Sequence, residues 1–119
     1  MIIGTGVDIT EVRRLEKAVE RWGDAFLNRV FTVQELENAK KRGSFYQHLA
    51  GRFAAKEAIF KAIGDPELNW KEVQIVNDAS GKPLCEILKA KHKKICALIS
   101  ISHVKNYAVA NAIVTKKGR

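Results

Sequence analysis

The sequence predicts an α+β fold, in which an N-terminal strand and several helices precede an antiparallel sheet. Three observations lead to this prediction. The chain opens on an apolar, β-branched run; apolar residues then recur at helical spacing up to residue 63; from residue 73 onward, apolar and polar residues alternate. Strands that follow a block of helices are typical of α+β domains. A chain of 119 residues without repeats or a flexible linker fits one domain, residues 1–119.

The first two predicted elements are a strand and a helix. The run MIIGTGVDI indicates a buried strand whose Gly4 and Gly6 allow another backbone to approach closely. A helix is expected from Thr10, as its N-cap, to residue 21 or 22, where Gly23 can end it. The dinucleotide fingerprint G-x-G-x-x-G would need a glycine where Ile9 stands, so the two glycines are interpreted as structural.

Two further helices and four strands complete the expected fold. The stretch TVQE, residues 32–35, has the spacing of a capping box and predicts a helix toward Lys41. A longer helix is expected from Ser44 to Ile63, because Gly64 can end it and Pro66 lies beyond. The strands fall in two pairs: 73–78 with 83–88 around the turn ASGK, and 95–102 with 107–114.

Composition narrows the class of protein. The formal charge is +8, which favours a polyanionic partner: nucleic acid, an anionic membrane, a phosphorylated ligand or an acidic protein. No apolar run approaches the roughly 20 residues that cross a bilayer, and the N-terminus lacks a signal-peptide pattern, so we expect a cytoplasmic protein without membrane contact. Cys85 and Cys96 are expected to be reduced thiols, and no histidine has metal-ligand spacing to either of them.

Charged side chains interrupt the long helix in its segment GRFAAKEAIFKAIG, residues 51–64. Glu57 and Lys61 lie four residues apart beside a stripe of alanines and isoleucines, which on its own is an ordinary surface ion pair. Asp8 closes the apolar first strand, where it either caps the following helix or is paired with a positive group. If Asp8 and Glu57 meet in space, they can hold Mg²⁺ together with substrate phosphates. Lys61 and Arg52 would then bind the remaining phosphate oxygens.

The first predicted helix has one apolar and one basic face. The apolar side chains should be buried: Val12, Leu15, Val19 and Trp22. The roughly opposite face carries Arg14, Lys17 and Arg21. This face is either simply solvated or suited to docking an acidic helix of a partner protein.

Taken together, these stretches resemble the holo-acyl-carrier-protein synthase family, the short branch of the phosphopantetheinyl transferases. The matching motifs follow the family's order over nearly the whole chain: GTGVDI with Asp8, FT followed by Glu35, LAGRFAAKEAIFKAIG, SGKP, and ISISH followed by YAVA. The resemblance implies the family's fold and its reaction. In that reaction the 4′-phosphopantetheine arm of coenzyme A moves to a serine of apo acyl carrier protein, adenosine 3′,5′-bisphosphate is released, and the product supports fatty acid biosynthesis.

The resemblance also implies roles for individual residues. Asp8 and Glu57 would hold Mg²⁺, which also binds the coenzyme A pyrophosphate, and with Lys61 they would form the catalytic group. Lys61 would neutralise charge on the phosphates as the bridging bond breaks, while Glu57, directly or through a water, would take the serine proton. Contacts with coenzyme A are implied for Arg52, Lys61, Lys82 and His103. On spacing alone, His103 is equally compatible with a structural role.

The same resemblance accounts for the positive charge. Acyl carrier protein is acidic and, in this family, docks on the first helix, which implies contacts with Arg14, Lys17 and Arg21. Family members of this length form homotrimers in which a neighbouring subunit completes each site. The chain departs from the family pattern in the loop at residues 64–69 and at Val104, which stands where a small hydroxyl residue is common.

Two other classes of function were compared with this one. A small basic nucleic-acid-binding module would need a stacking platform, but the aromatic residues have core-like spacing and the basic residues alternate with acids, so we expect no nucleic acid partner. A non-catalytic adaptor would only bind carrier protein, and its function would survive Asp8→Ala and Glu57→Ala.

Overall fold

The computed structural model describes residues 1–117, and the helices and strands follow the predicted order. Strand β1 covers Ile2–Glu11 and leads directly into helix α1, Val12–Trp22. Three more helices follow: α2, Asp24–Val30; α3, Val33–Lys40; and α4, Phe45–Ile63. The strands of the second half are β2, Val73–Asn77; β3, Pro83–Ile87; β4, Ile95–His103; and β5, Tyr107–Lys116. The predicted α+β class is confirmed.

The strands form two antiparallel sheets. One contains three strands in the order β1-β5-β4, and the other is the hairpin of β2 and β3. Strand β5 therefore pairs with β4, as predicted, and also with β1, from the opposite end of the sequence. In this second pairing Asp8 lies opposite Ala110.

Helix α4 packs on the three-stranded sheet and forms the centre of the core. Four residues of its predicted apolar stripe are buried, and the fifth, Ile63, is only partly buried; the four are Ala55, Ala58, Ile59 and Ala62. Strand β1 lies directly on the helix, because a Cβ atom on Gly4 or Gly6 would overlap the carbonyl oxygen of Ala62 or Ala58. The close approach predicted for both glycines is thus confirmed, and it brings the next inward-facing residue of β1, Asp8, to the helix.

A buried ion pair fixes the rotation of α4 about its axis. The ammonium of Lys56 is 2.6 Å from Oε1 of Glu35 and donates to the carbonyls of Val30 and Trp70 at 2.8 and 3.0 Å. The second oxygen of Glu35 accepts from the amide of Ile75 at 2.7 Å. Both side chains are fully buried, and a buried pair is tolerated only when its polar atoms are satisfied in this way. Because the rotation of α4 is fixed, the side chain of the next residue, Glu57, also points in a fixed direction.

The predictions for β1 were wrong in two respects. The strand runs on to Glu11, so Thr10 lies within it instead of capping α1, and its hydroxyl donates to the Asp8 carboxylate at 3.1 Å. The strand is also not buried on both faces, since Val7 and Ile9 are 59% and 66% exposed. Asp8 neither ends the strand nor caps the helix.

The helical predictions were mostly correct. The capping box of Thr32 and Glu35 is formed, and Gly64 ends α4 in the left-handed conformation with φ of 72°. Helix α2 was missed, because its seven residues are too few to show a periodic pattern. Trp22 was expected to be buried but is 58% exposed, with the guanidinium of Arg21 4.9 Å from its ring centroid.

The two cysteines form no disulfide with each other. Cys85 and Cys96 are free, half-buried thiols, and burial raises the pKa of Cys85 to about 12, so this thiol is protonated at neutral pH. Within residues 1–117, none of the helices has both the length and the apolar composition of a membrane span.

Candidate active site

The three residues predicted to be catalytic meet where β1 crosses α4. The ammonium of Lys61 lies 3.2 Å from Oδ1 of Asp8 and donates to the Val7 carbonyl at 3.0 Å. Glu57 lies one helical turn before Lys61 and lines the same cleft as Asp8. Asp8 reaches α4 because Gly4 and Gly6 let β1 lie directly on the helix. The contact joins residues that are more than 40 positions apart in the sequence.

The electrostatics of this cluster suit a bound cation. Burial and the nearby charge of Asp8 raise the pKa of Glu57, and Lys61 opposes this only in part. The two carboxylates therefore repel each other, and a cation between them would relieve the repulsion. No group of three or more His, Cys, Asp or Glu side chains within residues 1–117 could hold a metal ion. The pair nevertheless fits Mg²⁺, which takes one or two carboxylates and completes its shell with phosphates and waters.

Two clefts meet at Glu57. The first, the α1 cleft, has a volume of about 390 Å³ and lies between β1, α1 and α4. Its charged lining is Asp8, Glu11, Arg14 and Glu57, and its apolar lining includes Leu15, Ala18, Phe26 and Phe53. The second, the loop cleft, has a volume of about 550 Å³ and is lined by Glu57, Phe60, Lys61 and the loop after α4. Molecules bound in the two clefts would meet at Glu57.

The basic face of α1 borders the first of these clefts. Arg14, Lys17 and Arg21 are all exposed, as predicted. Arg14 also lines the α1 cleft itself. At Arg14 the basic face of α1 therefore shares a cleft with the two carboxylates.

The other predicted contact residues lie elsewhere in the chain. Arg52 and His103 line a separate cavity of about 170 Å³, here called the basic cavity, together with Arg42 and His48. Lys82 is exposed on the turn between Gly81 and Pro83, at the edge of this cavity. Within one chain, the structure does not bring these residues together with Asp8, Glu57 and Lys61.

The basic cavity is poor in negative charge. Arg52 is only 6% exposed and donates to Asn77 at 2.7 Å, and burial, together with the charge of Arg42, lowers its pKa. Burial and the same arginines lower the pKa of His48 to about 4, and its buried Nε2 has no hydrogen-bond partner among the described residues. Such a set fits an anion.

Sequence reasoning missed two residues of the basic cavity. Arg42 lies just before α4, and no motif or spacing in the sequence pointed to it. His48 lies four residues before Arg52 on α4, so their spacing of one helical turn was the pattern that could have identified it.

Comparison with known proteins identifies the family. The sequence profile of the 4′-phosphopantetheinyl transferase superfamily matches residues 4–112. The chain belongs to this superfamily. Within the phosphopantetheinyl transferases it is similar to the holo-[acyl-carrier-protein] synthase of Fusobacterium nucleatum, with 46% identity over 96% of this chain and 99% of that protein. The synthase of Protochlamydia amoebophila is 43% identical over 95% of this chain and 98% of its own.

Solved structures of phosphopantetheinyl transferases share the fold. The synthase of Bacillus anthracis in complex with CoA (3′,5′-ADP) matches with a TM-score of 0.84 and 37% identity over 98% of this chain and 99% of that one. The Helicobacter pylori synthase in complex with coenzyme A matches with a TM-score of 0.84 and 32% identity over 93% and 99% of the two chains. The family resemblance inferred from the motifs is confirmed.

Proposed function

We propose that this protein transfers the 4′-phosphopantetheine group from coenzyme A to a serine of apo acyl carrier protein and releases adenosine 3′,5′-bisphosphate. The observation that carries the proposal is the meeting of Asp8, Glu57 and Lys61 at the junction of two clefts. Similarity to proteins named holo-[acyl-carrier-protein] synthase, two of them solved with coenzyme A, supports it. The product would serve fatty acid biosynthesis.

We assign the phosphates of coenzyme A to the loop cleft, which Glu57 and Lys61 both line. This lysine is 55% exposed and lines the loop cleft, so its ammonium can turn from Asp8 to phosphate oxygens. Asp8 and Glu57 would hold Mg²⁺, which when bound would withdraw charge from the diphosphate. Phosphoryl transfer depends mainly on such positioning and charge stabilisation.

The proposed step exchanges one bond to phosphorus for another. The serine oxygen bonds to the phosphorus that carries pantetheine, the bond from this phosphorus to the bridging oxygen breaks, and adenosine 3′,5′-bisphosphate leaves with that oxygen. The serine proton passes to Glu57, directly or through a water. Lys61 offsets the negative charge that develops on the leaving phosphate.

The acceptor is assigned to the α1 cleft. An acidic helix docked on Arg14, Lys17 and Arg21 would place a neighbouring serine at the cleft that Arg14 shares with Asp8 and Glu57. The net charge of +8 favours encounter with an acidic carrier. No separate nucleic acid or membrane partner is needed to explain this charge.

We further propose that the active unit is a homotrimer with shared sites. The outer face of the three-stranded sheet exposes apolar side chains that a monomer would leave in water: Val7, Ile9, Leu98 and Val109. The basic cavity, with Arg52 and His103, is separate from the catalytic cluster in one chain. If the apolar faces of subunits pack together, the basic cavity of one subunit can serve the catalytic cluster of its neighbour and bind a phosphate of coenzyme A there.

The proposed reaction can be tested by intact mass spectrometry of the carrier. The purified protein would be mixed with apo acyl carrier protein, coenzyme A and Mg²⁺, and we expect the carrier to gain one phosphopantetheine. EDTA and Glu57→Gln should abolish the gain, whereas Glu37→Gln, an exposed glutamate on α3, should not. Carrier binding without any gain would indicate an adaptor, and neither gain nor binding would direct attention to nucleic acid.

A further inference from the structure

Three side chains hold the loop that follows α4. The carboxylate of Asp65 accepts from Lys89 Nζ at 3.1 Å and lies 2.8 Å from His92 Nε2. Its other oxygen accepts from the amide of Glu67 at 3.0 Å, and Lys89 also donates to the Glu67 carbonyl at 3.2 Å. The side chains of Asp65, Lys89 and His92 are only 7%, 20% and 14% exposed. The cluster is therefore well shielded, and its bonds compete little with water.

The loop held by this cluster forms one wall of the loop cleft. Gly64, Asp65, Pro66 and Leu68 line the cleft together with Glu57 and Lys61. Lys89 and His92 come from the segment between β3 and β4. The loop of residues 64–68 is thus bonded to the segment between β3 and β4, which does not itself line the loop cleft.

The cluster also neutralises a charge beside the cleft. Hydrogen bonds from His92, the Glu67 amide and Lys89 hold the pKa of Asp65 well below its usual range, so the carboxylate is ionised at neutral pH. An unpaired carboxylate there would repel a diphosphate. The ammonium of Lys89 offsets that charge, and both Lys89 and His92 hold the loop.

We propose that Asp65, Lys89 and His92 are positioning residues for coenzyme A, which fix residues 64–68 as the wall of the loop cleft and so set the affinity for the donor. The proposal rests on the function proposed above. Since none of the three is hydrogen-bonded or ion-paired with Asp8, Glu57 or Lys61, their loss should raise KM for coenzyme A and leave kcat and the KM for carrier protein nearly unchanged.

A pair of charge-matched variants tests this. Asp65→Asn removes the anchor and one negative charge, whereas Glu67→Gln removes one negative charge from the same loop at an exposed side chain without hydrogen bonds or ion pairs to residues 1–117. For Asp65→Asn we expect KM for coenzyme A and the calorimetric Kd of the metal-loaded protein to rise about tenfold, as for loss of a charged hydrogen bond. Glu67→Gln should change neither by more than about twofold.

A third variant, Lys89→Met, shows whether the residues act as a unit. It should weaken coenzyme A binding alone but add little in the Asp65→Asn background, because the shared interaction is already lost. Equal effects of Asp65→Asn and Glu67→Gln, additive effects of Asp65→Asn and Lys89→Met, or a loss confined to kcat would overturn the proposal. If the unsubstituted protein itself neither binds nor uses coenzyme A, the proposed function fails; if it does both and Asp65→Asn behaves identically, only the positioning role fails.

Discussion

At the scale of single residues, Glu57 illustrates a conflict between stability and function. Burial and Asp8 raise its pKa in the folded state, so ionised Glu57 destabilises the fold. This penalty is absent below the unfolded-state pKa of about 4.5 and reaches its full size once the pH exceeds the raised folded-state pKa.

Glu57→Gln should therefore stabilise the metal-free protein at pH 7.5 and have a smaller effect at pH 4, when measured by urea unfolding in the presence of EDTA. The same variant should lower kcat at least about a hundredfold, because it removes the proposed proton acceptor. Equal stability effects at both pH values would contradict the stated role of charge.

At the scale of elements, the contact between β1 and α4 controls the site. In Gly6→Ala the added methyl group would meet the Ala58 carbonyl, so the strand must move away from the helix and carry Asp8 with it. We expect a loss of about 2 kcal/mol in the free energy of unfolding, typical of overpacking, and a large loss of transferase activity. Gly43→Ala is the matched control, because its Cβ would meet no atom of the described residues within 4 Å.

Helix α1 carries a second prediction at this scale. Arg14→Glu should raise the KM for acyl carrier protein about tenfold or more while the KM for coenzyme A stays the same, because like charges would face each other at the proposed docking surface. Lys40→Glu, an exposed residue at the end of α3, changes the net charge equally and should have little effect. If both variants raised the KM alike, only overall charge would matter.

At the scale of the whole molecule, shared sites predict complementation between inactive subunits. In the proposed homotrimer, Glu57→Gln would disable the catalytic cluster and His103→Ala the basic cavity, so assemblies of either variant alone should be nearly inactive. Co-expressed and assembled at random, the two chains should form intact sites at about a quarter of the interfaces. The measurement compares the transferase activity of the co-expressed mixture with the activity of each variant alone. If the mixture is no more active than the separate variants, the whole site lies in one chain.

Much of the fold could be predicted from local patterns. The capping box at Thr32 and the stop at Gly64 are short-range signals, and the structure confirms both. Helix α2 and the extension of β1 could not be predicted, since seven residues show no clear period and the strand continues through the polar pair Thr10 and Glu11. The exposure of apolar Val7 and Ile9 was also missed, because alternation shows that a strand has two faces but not what covers them.

The site was predictable to the extent that it follows family motifs. The proximity of Asp8 and Lys61 rests on a strand-on-helix contact across 53 positions of sequence, which no local pattern encodes. The link between Asp65 and His92 spans 27 positions of sequence, so periodicity could not indicate it, and the resemblance implied no role for either residue.

The pairing of β1 with β5 has a consequence for the newly made chain. Within residues 1–117, every other element lies between these two strands in the sequence, so during synthesis β1 is made before all of them and its neighbour β5 is made after them. Contacts of such long range form slowly, and until then nothing in the sheet holds Asp8 against α4. In a partly synthesised chain Glu57 and Lys61 would thus be present before Asp8 is held beside them, and the proposed site would be completed only when β5 pairs with β1.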